Sequence, residues 1–312
     1  MNPVKLKTKN KFVDQNIKDF ASCPRYDESI LLKKNSYWPK ISIITPSLNQ
    51  AQFLERTILS VLNQNYPNLE YIIIDGGSSD ESVDIIKKYE KYLAYWVSEP
   101  DRGQSHALNK GYDHATGVVF GWLNSDEEYL PNTLLKIGKI FMNKPKLDIV
   151  FGNRIVVDSN MRIIRYEAVP NMHPMDFMLY RYGLLFSDAT FWTREIHQKT
   201  GQLDESQFQH LCMDFDWLLR LSLHVKKWKY IPDYLSIFKE HPGRKTLNIH
   251  NISSLAKLAR DRVINQLGIS RLELLIKWVY FALQDRLQRQ GLKGLIWTPH
   301  LSTILRVIGL KL

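Results

Sequence analysis

Four short apolar runs constrain what this chain can fold into more than any other feature. They are Ile41-Ser42-Ile43-Ile44-Thr45, Tyr71-Ile72-Ile73-Ile74, Tyr95-Trp96-Val97 and Val118-Val119-Phe120. Helical spacing fills the gaps: Leu54, Ile58, Val61 and Leu62 after the first run, Val83, Ile86 and Leu93 after the second. Ser79 or Asp80 can cap the second of these helices, and a third is expected from about Gln104 to Ala115. Such alternation predicts an α/β fold, with a mostly parallel, Rossmann-like sheet and helices on both faces. In that topology the acids that follow the strands, Asp75, Asp101 and Asp126, come to one edge of the sheet. Open sheets of this kind bind ligands there, at the carboxyl ends of their strands.

The pattern changes after Asp126. Pro131 opens another helical stretch, and Ile149 to Val169 reads as a hairpin turning at Asp158-Ser159-Asn160. Leu211 to Leu223 reads as a helix, Lys226 to Ile237 as strand, and the chain from about Ile252 as helices. Three regions follow: an irregular N-terminal extension over 1–38, an α/β domain over 39–246, and a helical C-terminal region over 247–312. Only two cysteines occur, Cys23 and Cys212, without zinc-like spacing, which argues against a zinc site or a disulfide scaffold. The polar N-terminus lacks the apolar core of a signal peptide. The run from Leu272 to Leu283, broken by Glu273 and Lys277, is too short and charged to span a bilayer. A cytoplasmic location is therefore expected. The net charge of +10 admits anionic substrates, lipid or nucleic acid, but no nucleic-acid-binding signature accompanies it, so nucleic acid is not expected as a partner.

The acidic run Asn124-Ser125-Asp126-Glu127-Glu128 is the strongest chemical signal. A hard divalent cation, Mg²⁺ or Mn²⁺, takes oxygen ligands and leaves positions for substrate phosphates. Asp126 is thus a candidate to hold such a cation under a nucleotide diphosphate. The turn after the first strand, Thr45-Pro46-Ser47-Leu48-Asn49, carries no G-x-G-x-x-G, and no P-loop lysine motif appears. A dehydrogenase-type glycine loop is excluded on that ground. Trp122 and Trp217 lie inside apolar runs and read as core, and Asp216 reads as a salt-bridge residue.

Eight motifs in order make the chain from about Lys40 to Thr246 resemble a family 2 glycosyltransferase, an inverting, nucleotide-sugar-dependent enzyme of GT-A fold. They are Ile43–Asn49, Ser60–Gln64, Ile74–Asp80, Ser98–Gln104, Ala107–Gly111, Leu123–Asp126, Met213–Leu221 and Phe238–Thr246. The resemblance implies that Thr45 and Asp75 line a base and ribose pocket. It also implies nucleotide contacts for Pro46, Asp101, Arg102, Asn109, Asn124 and Ser125. The family often has a second acid after its second strand, where this chain has Gly76, so Asp101 or Arg102 is expected to take over a base contact. Its metal motif commonly begins with Asp, where this chain has Asn124, which leaves Asp126 as the main protein ligand. His241 matches a histidine near the diphosphate or metal, and Asp214 matches the general base. The implied activity moves a sugar, with UDP as the first guess for the donor nucleotide, to a saccharide or lipid-linked acceptor in surface polysaccharide or glycolipid assembly. A non-catalytic nucleotide-sugar-binding module is the alternative, favoured if Asp214 lies far from Asp126.

The tail from Ala256 to Leu312 carries ten Lys/Arg and three Asp/Glu, a balance of +7. Leu272, Leu275, Ile276, Val279, Leu283 and Leu287 form one apolar stripe, expected to pack on the α/β domain. Leu301, Ile304, Leu305, Ile308 and Leu312 form a second, which with Arg306 and Lys311 suits a helix lying on an anionic membrane at the cytosolic face.

Overall fold

The computed structural model describes residues 18–180, 183–242, 249–270, 272–277 and 279–280. Strands β1 (Ile41–Ser47), β2 (Leu69–Asp75), β3 (Tyr95–Ser98) and β4 (Val119–Trp122) pair in the order β3-β2-β1-β4, all parallel. Each residue of β1, β2 and β4 is buried, as near-continuous apolar runs require when both faces of a sheet are covered. The connecting helices are α2 (Ala51–Leu62), α3 (Ser82–Tyr89) and α4 (Gln104–His114), after a short α1 (Glu28–Lys33). From β1 to β3 the chain steps along the sheet in one direction. It then returns past β1 to form β4. Right-handed crossovers put α2 and α3 on one face and α4 on the other, and leave a crevice where the direction reverses, between β1 and β4.

Gly111 shows how closely α4 approaches the sheet. A Cβ there would lie 2.5 Å from Ile44 Cγ2 on β1. The glycine in this motif is thus a packing requirement.

Beyond β4 the sheet is mixed. After β5 (Glu128–Tyr129) and helix α5 (Thr133–Asn143) come β6 (Ile149–Val157), β7 (Ile163–Glu167), β8 (Thr190–Thr193) and β9 (Trp228–Lys239). Strand β8 joins β4 antiparallel, β6 joins β8 antiparallel, and β9 lies parallel to β6. The expected hairpin is β6–β7, although its turn spans 158–162, pinned by Asp158, whose carboxylate accepts from Asn160 and Arg162. Helices α6 (Arg194–Thr200) and α7 (Met213–Ser222) complete this half. Trp122 and Trp217 are buried at 1% exposure, as core residues should be.

Helix α8 (Ile249–Leu267) packs on α7, with Ala259 and Val263 fully buried. Arg262 of α8 bridges Asp216 at 3.2 Å and Asp204 at 2.9 Å. The N-terminal extension is less irregular than expected. Besides forming α1, its backbone docks on Asn63 at the end of α2, which donates to Phe20 O at 2.6 Å and accepts from Arg25 N at 2.8 Å. The first apolar stripe of the tail departs from expectation. Leu272, Leu275 and Val279 are exposed, while the neighbouring Leu274 packs against the core. A one-residue offset on a helix turns the apolar face by about 100°, so these three residues of the stripe face solvent while its Ile276 is half-buried. Leu283, Leu287 and the second stripe lie outside the described residues.

Candidate functional site

A cavity of about 210 Å³ opens at the crevice between β1 and β4. Pro46 from the end of β1, Asp101 from the β3–α4 loop and Asn124, Ser125 and Asp126 from the β4–β5 turn line it. Arg154, Ser187, Asp214 and Phe238 from the second half line it as well.

The β4–β5 turn is held rigidly. Thr57 of α2 directs its hydroxyl at the carbonyls of Ser125 and Glu127, 2.9 and 2.8 Å away. The Asn124 backbone N–H donates to Glu127 Oε2 at 2.9 Å. Asn124 Oδ1 accepts from Gln104 Nε2 at 2.6 Å and from Trp122 Nε1 at 2.7 Å. Those donors fill the amide oxygen, so Asn124 positions the turn. Burial, then the negative charges of Asp188 and Asp126, push the Glu127 carboxyl well above its ordinary range.

Asp126 Oδ2 lies 3.0 Å from His241 Nε2, and the imidazole packs on the Phe53 ring at 4.5 Å between centroids. Among the described residues no group of three His, Cys, Asp or Glu side chains is arranged to hold a metal ion. One carboxylate and one imidazole nonetheless fit a Mg²⁺- or Mn²⁺-type site that completes its shell with water and phosphate oxygens. The remainder of the Phe238–Thr246 motif, from Gly243 onward, lies outside the described residues.

Asp214 stands in the first turn of α7, where the helix dipole favours a carboxylate. The residue before the helix start, Cys212, has a left-handed backbone with φ of 56°. Asp214 Oδ1 accepts from Phe215 N at 2.8 Å. Burial raises its carboxyl above the ordinary value, and the Arg154 charge pulls in the opposite direction. Asp216, two residues on, is 1% exposed and paired with Arg220 and Arg262, as its salt-bridge reading requires.

Six of the expected site residues, Pro46, Asp101, Asn124, Ser125, Asp126 and Asp214, share this cavity, and His241 joins them through Asp126. Four do not line it. Thr45 is fully buried with its hydroxyl 3.2 Å from Tyr71 Oη. Asp75 is fully buried and accepts from Ser78 N, Ser78 Oγ and Ser98 Oγ, which shape the turn after β2. Arg102 is exposed and paired with Glu205 at 2.6 Å. Asn109 ties α4 to the loop before α7, exchanging hydrogen bonds with the backbone of Leu203. Asp101 is the acid that faces the cavity at this end. A Cβ at position 76 would lie 2.6 Å from Asp101 Oδ2, so its carboxylate takes the space a side chain after Asp75 would need. Sequence reasoning missed Arg154, Ser187 and Phe238. For Arg154 a signal existed, since it is the one charge inside the apolar run Ile149–Val157.

A family model described as Glycosyl transferase family 2 matches residues 42–221, more than half of the chain and all of the elements that build the cavity up to α7. The chain belongs to glycosyltransferase family 2. Among similar sequences, an uncharacterized glycosyltransferase of Rickettsia prowazekii is 38% identical over 181 residues, covering 56% of this chain and 57% of the relative. One of Mycobacterium tuberculosis is 42% identical over 92 residues, covering 29% and 35%. The chain thus spans between about a third and somewhat over half of the length of these relatives. In fold it is similar to S. aureus TarS 1–349 in complex with UDP-GlcNAc, with a TM-score of 0.57 at 14% identity over 77% of this chain and 72% of that one. It is also similar to the mannosyltransferase PcManGT of Pyrobaculum calidifontis in complex with GDP-Man and Mn²⁺, with a TM-score of 0.50 at 16% identity over 76% and 65%. These likenesses make the fold GT-A.

Proposed function

We propose that this glycosyltransferase inverts the anomeric centre of a nucleotide-diphosphate sugar in a single displacement. The observation that carries the reading is the shared cavity: Asp214 and Asp126 line the same space. A module that only binds a nucleotide sugar needs no second buried acid of raised basicity beside its metal acid. The acceptor hydroxyl oxygen attacks the anomeric carbon, and the bond from that carbon to the diphosphate oxygen breaks with its electron pair. The hydroxyl proton passes to the Asp214 carboxylate. Burial raises that group towards neutrality, which makes it a better general base than an exposed aspartate. Asp126 and His241 would hold a Mg²⁺ or Mn²⁺ ion. When bound, such an ion offsets the charge that develops on the departing diphosphate.

The GT-A relative TarS is known with UDP-GlcNAc and with UDP, and PcManGT with GDP-Man, so UDP is the first donor nucleotide to test and GDP the second. The acceptor reading is a saccharide or lipid-linked hydroxyl in surface polysaccharide or glycolipid assembly. No helix among the described residues is long and apolar enough to cross a membrane. Exposed Leu272, Leu275 and Val279, in a tail of positive balance, support peripheral contact with an anionic membrane. A thermal-shift screen of nucleotide sugars with and without Mn²⁺, followed by transfer assays with the best donor, tests the whole reading. A donor that stabilises the chain only with the ion, and is then turned over, is the expected result. Stabilisation without turnover under any acceptor favours the binding module instead.

A further inference from the structure

Arg154 is a guanidinium inside the protein that the displacement described above leaves without a task. It projects from the middle of β6 into the cavity wall, opposite Ser236 of β9. Its Cζ lies 4.1 Å from the Phe186 ring centroid and 4.2 Å from that of Phe238. Nε donates to Glu167 Oε2 at 2.7 Å, and Nη1 lies 3.5 Å from Asp188 Oδ1. Asp188 is fully buried, and its other oxygen accepts from Ser236 Oγ at 2.7 Å. Two aromatic rings and two carboxylates hold this cation in place. Keeping a charge largely out of water is expensive unless it is paired, and a hydrophobic replacement would often be as stable.

We propose that Arg154 is a positioning residue, whose fixed positive charge in the cavity wall keeps the neighbouring Asp214 in its carboxylate form. Asp214 sits in a low-dielectric place surrounded largely by other acids. Asp126 and Glu127 from the β4–β5 turn and Asp101 from the β3–α4 loop line the same cavity, and the charge of Asp188, in the turn before β8, acts on Asp214 as well. The Cys212 thiol precedes it on its own helix, and His210 lies in the loop before that. From α8 the Arg260 guanidinium lies over the adjoining Phe215 ring, 4.6 Å from its centroid, and Arg154 is the permanent cation that lines the cavity itself. Burial and the Asp188 charge favour the protonated acid, while the Phe215 N–H and the Arg154 charge favour the carboxylate. Without Arg154 the buried acid would hold its proton to higher pH and could not accept another from an acceptor hydroxyl.

The inference rests on Asp214 being the base, but its test does not need turnover. The full chain is labelled with ¹³C at aspartate carboxyls, and the Asp214 signal is assigned by its loss in Asp214→Asn. Its titration midpoint is then followed by NMR. Arg154→Met is expected to raise the midpoint by about one pH unit or more. Arg154→Lys should return it towards the wild-type value. Asp188→Asn, which removes a like charge and keeps Arg154, should lower it. A general loosening of the fold does not move one carboxyl in opposite directions in two variants. An unmoved midpoint in Arg154→Met, or a raised one in Asp188→Asn, overturns the proposal, and the second variant decides alone if the first does not fold. If Asp214→Asn transfers sugar normally while the midpoints move as stated, the base assignment fails and the charge coupling stands.

Discussion

Strands β1 to β4 and strands β5 to β9 supply one cavity by different routes. In the first group the strands pair parallel, β3 with β2 and β2 with β1 one crossover apart and β4 back beside β1, and the contributions sit at the end of β1 and in the turns after β3 and β4: Pro46, Asp101, Asn124, Asp126. In the second, Arg154 projects from the middle of β6, Phe238 from near the end of β9, and Asp214 from the start of a helix. The first half contributes through strand ends and turns that the sequence marks locally. The second acts through side chains whose surroundings come from chain segments far apart, such as β6 against β9. On the proposed reading, the turn-borne groups bind the donor and the second half carries the chemistry. That division can be broken by experiment.

The largest effect is expected at Asp214. Asp214→Asn keeps the shape and loses the base, so transfer should fall by about a hundred- to ten-thousand-fold, while nucleotide affinity by calorimetry stays near wild type. A large loss of affinity would mean the second half also grips the donor. The first half is tested at the metal pair. Asp126→Ala should remove the Mn²⁺-dependent part of UDP binding. His241→Ala should weaken it by roughly 10- to 100-fold, the usual cost when a group supporting a bound metal is lost. Equal UDP affinity with and without Mn²⁺ in the wild type would sink the metal assignment itself.

These two halves were unequally legible in the sequence. The runs that became β1, β2 and β4 are nearly all apolar because they are buried on both faces, and that is a local signal. Turn acids after strands were equally visible, and Asp101 and Asp126 do line the cavity. What a turn acid does there was not visible: Asp75 stands in the same kind of place as Asp126, yet Ser78 and Ser98 absorb its carboxylate. Asn109 and Gly111 belong to one motif, and the structure assigns both to packing, one against the loop at Leu203 and one against Ile44. The roles of Phe238, Ser187 and Arg154 depend on pairings between distant segments, and no spacing along the chain encodes those. Gly111→Ala tests the packing side. With Ile44 Cγ2 2.5 Å from the new methyl, overpacking should cost about 1–3 kcal/mol in urea unfolding, without a direct effect on the cavity. Normal stability would show that α4 can shift, and that the first half is less rigid than its loops imply.

The smallest effect lies in the second half, away from the cavity. His197 of α6 sits among Tyr112, Trp192 and Trp217, with ring centroids 4.4 Å from Tyr112 and 5.2 Å from Trp217. Trp192 Nε1 donates to its Nδ1 at 3.4 Å. Burial, aided by the Arg194 charge, lowers its pKa from 6.5 to about 4. The folded chain therefore holds a neutral imidazole over a range in which the unfolded chain takes up a proton. Stability from this group is fully present above pH 6.5 and is lost progressively as pH falls towards 4. Between pH 7 and 5.5 the linkage amounts to about 1 kcal/mol. His197→Phe keeps a ring in the aromatic cluster and removes the titration, so its stability should decline less over that interval by the same amount, measured by urea unfolding at both pH values. Parallel declines in the two proteins would mean that His197 reaches water when protonated. The aromatic cluster joining α4, β8 and α7 would then be looser than the crevice it supports.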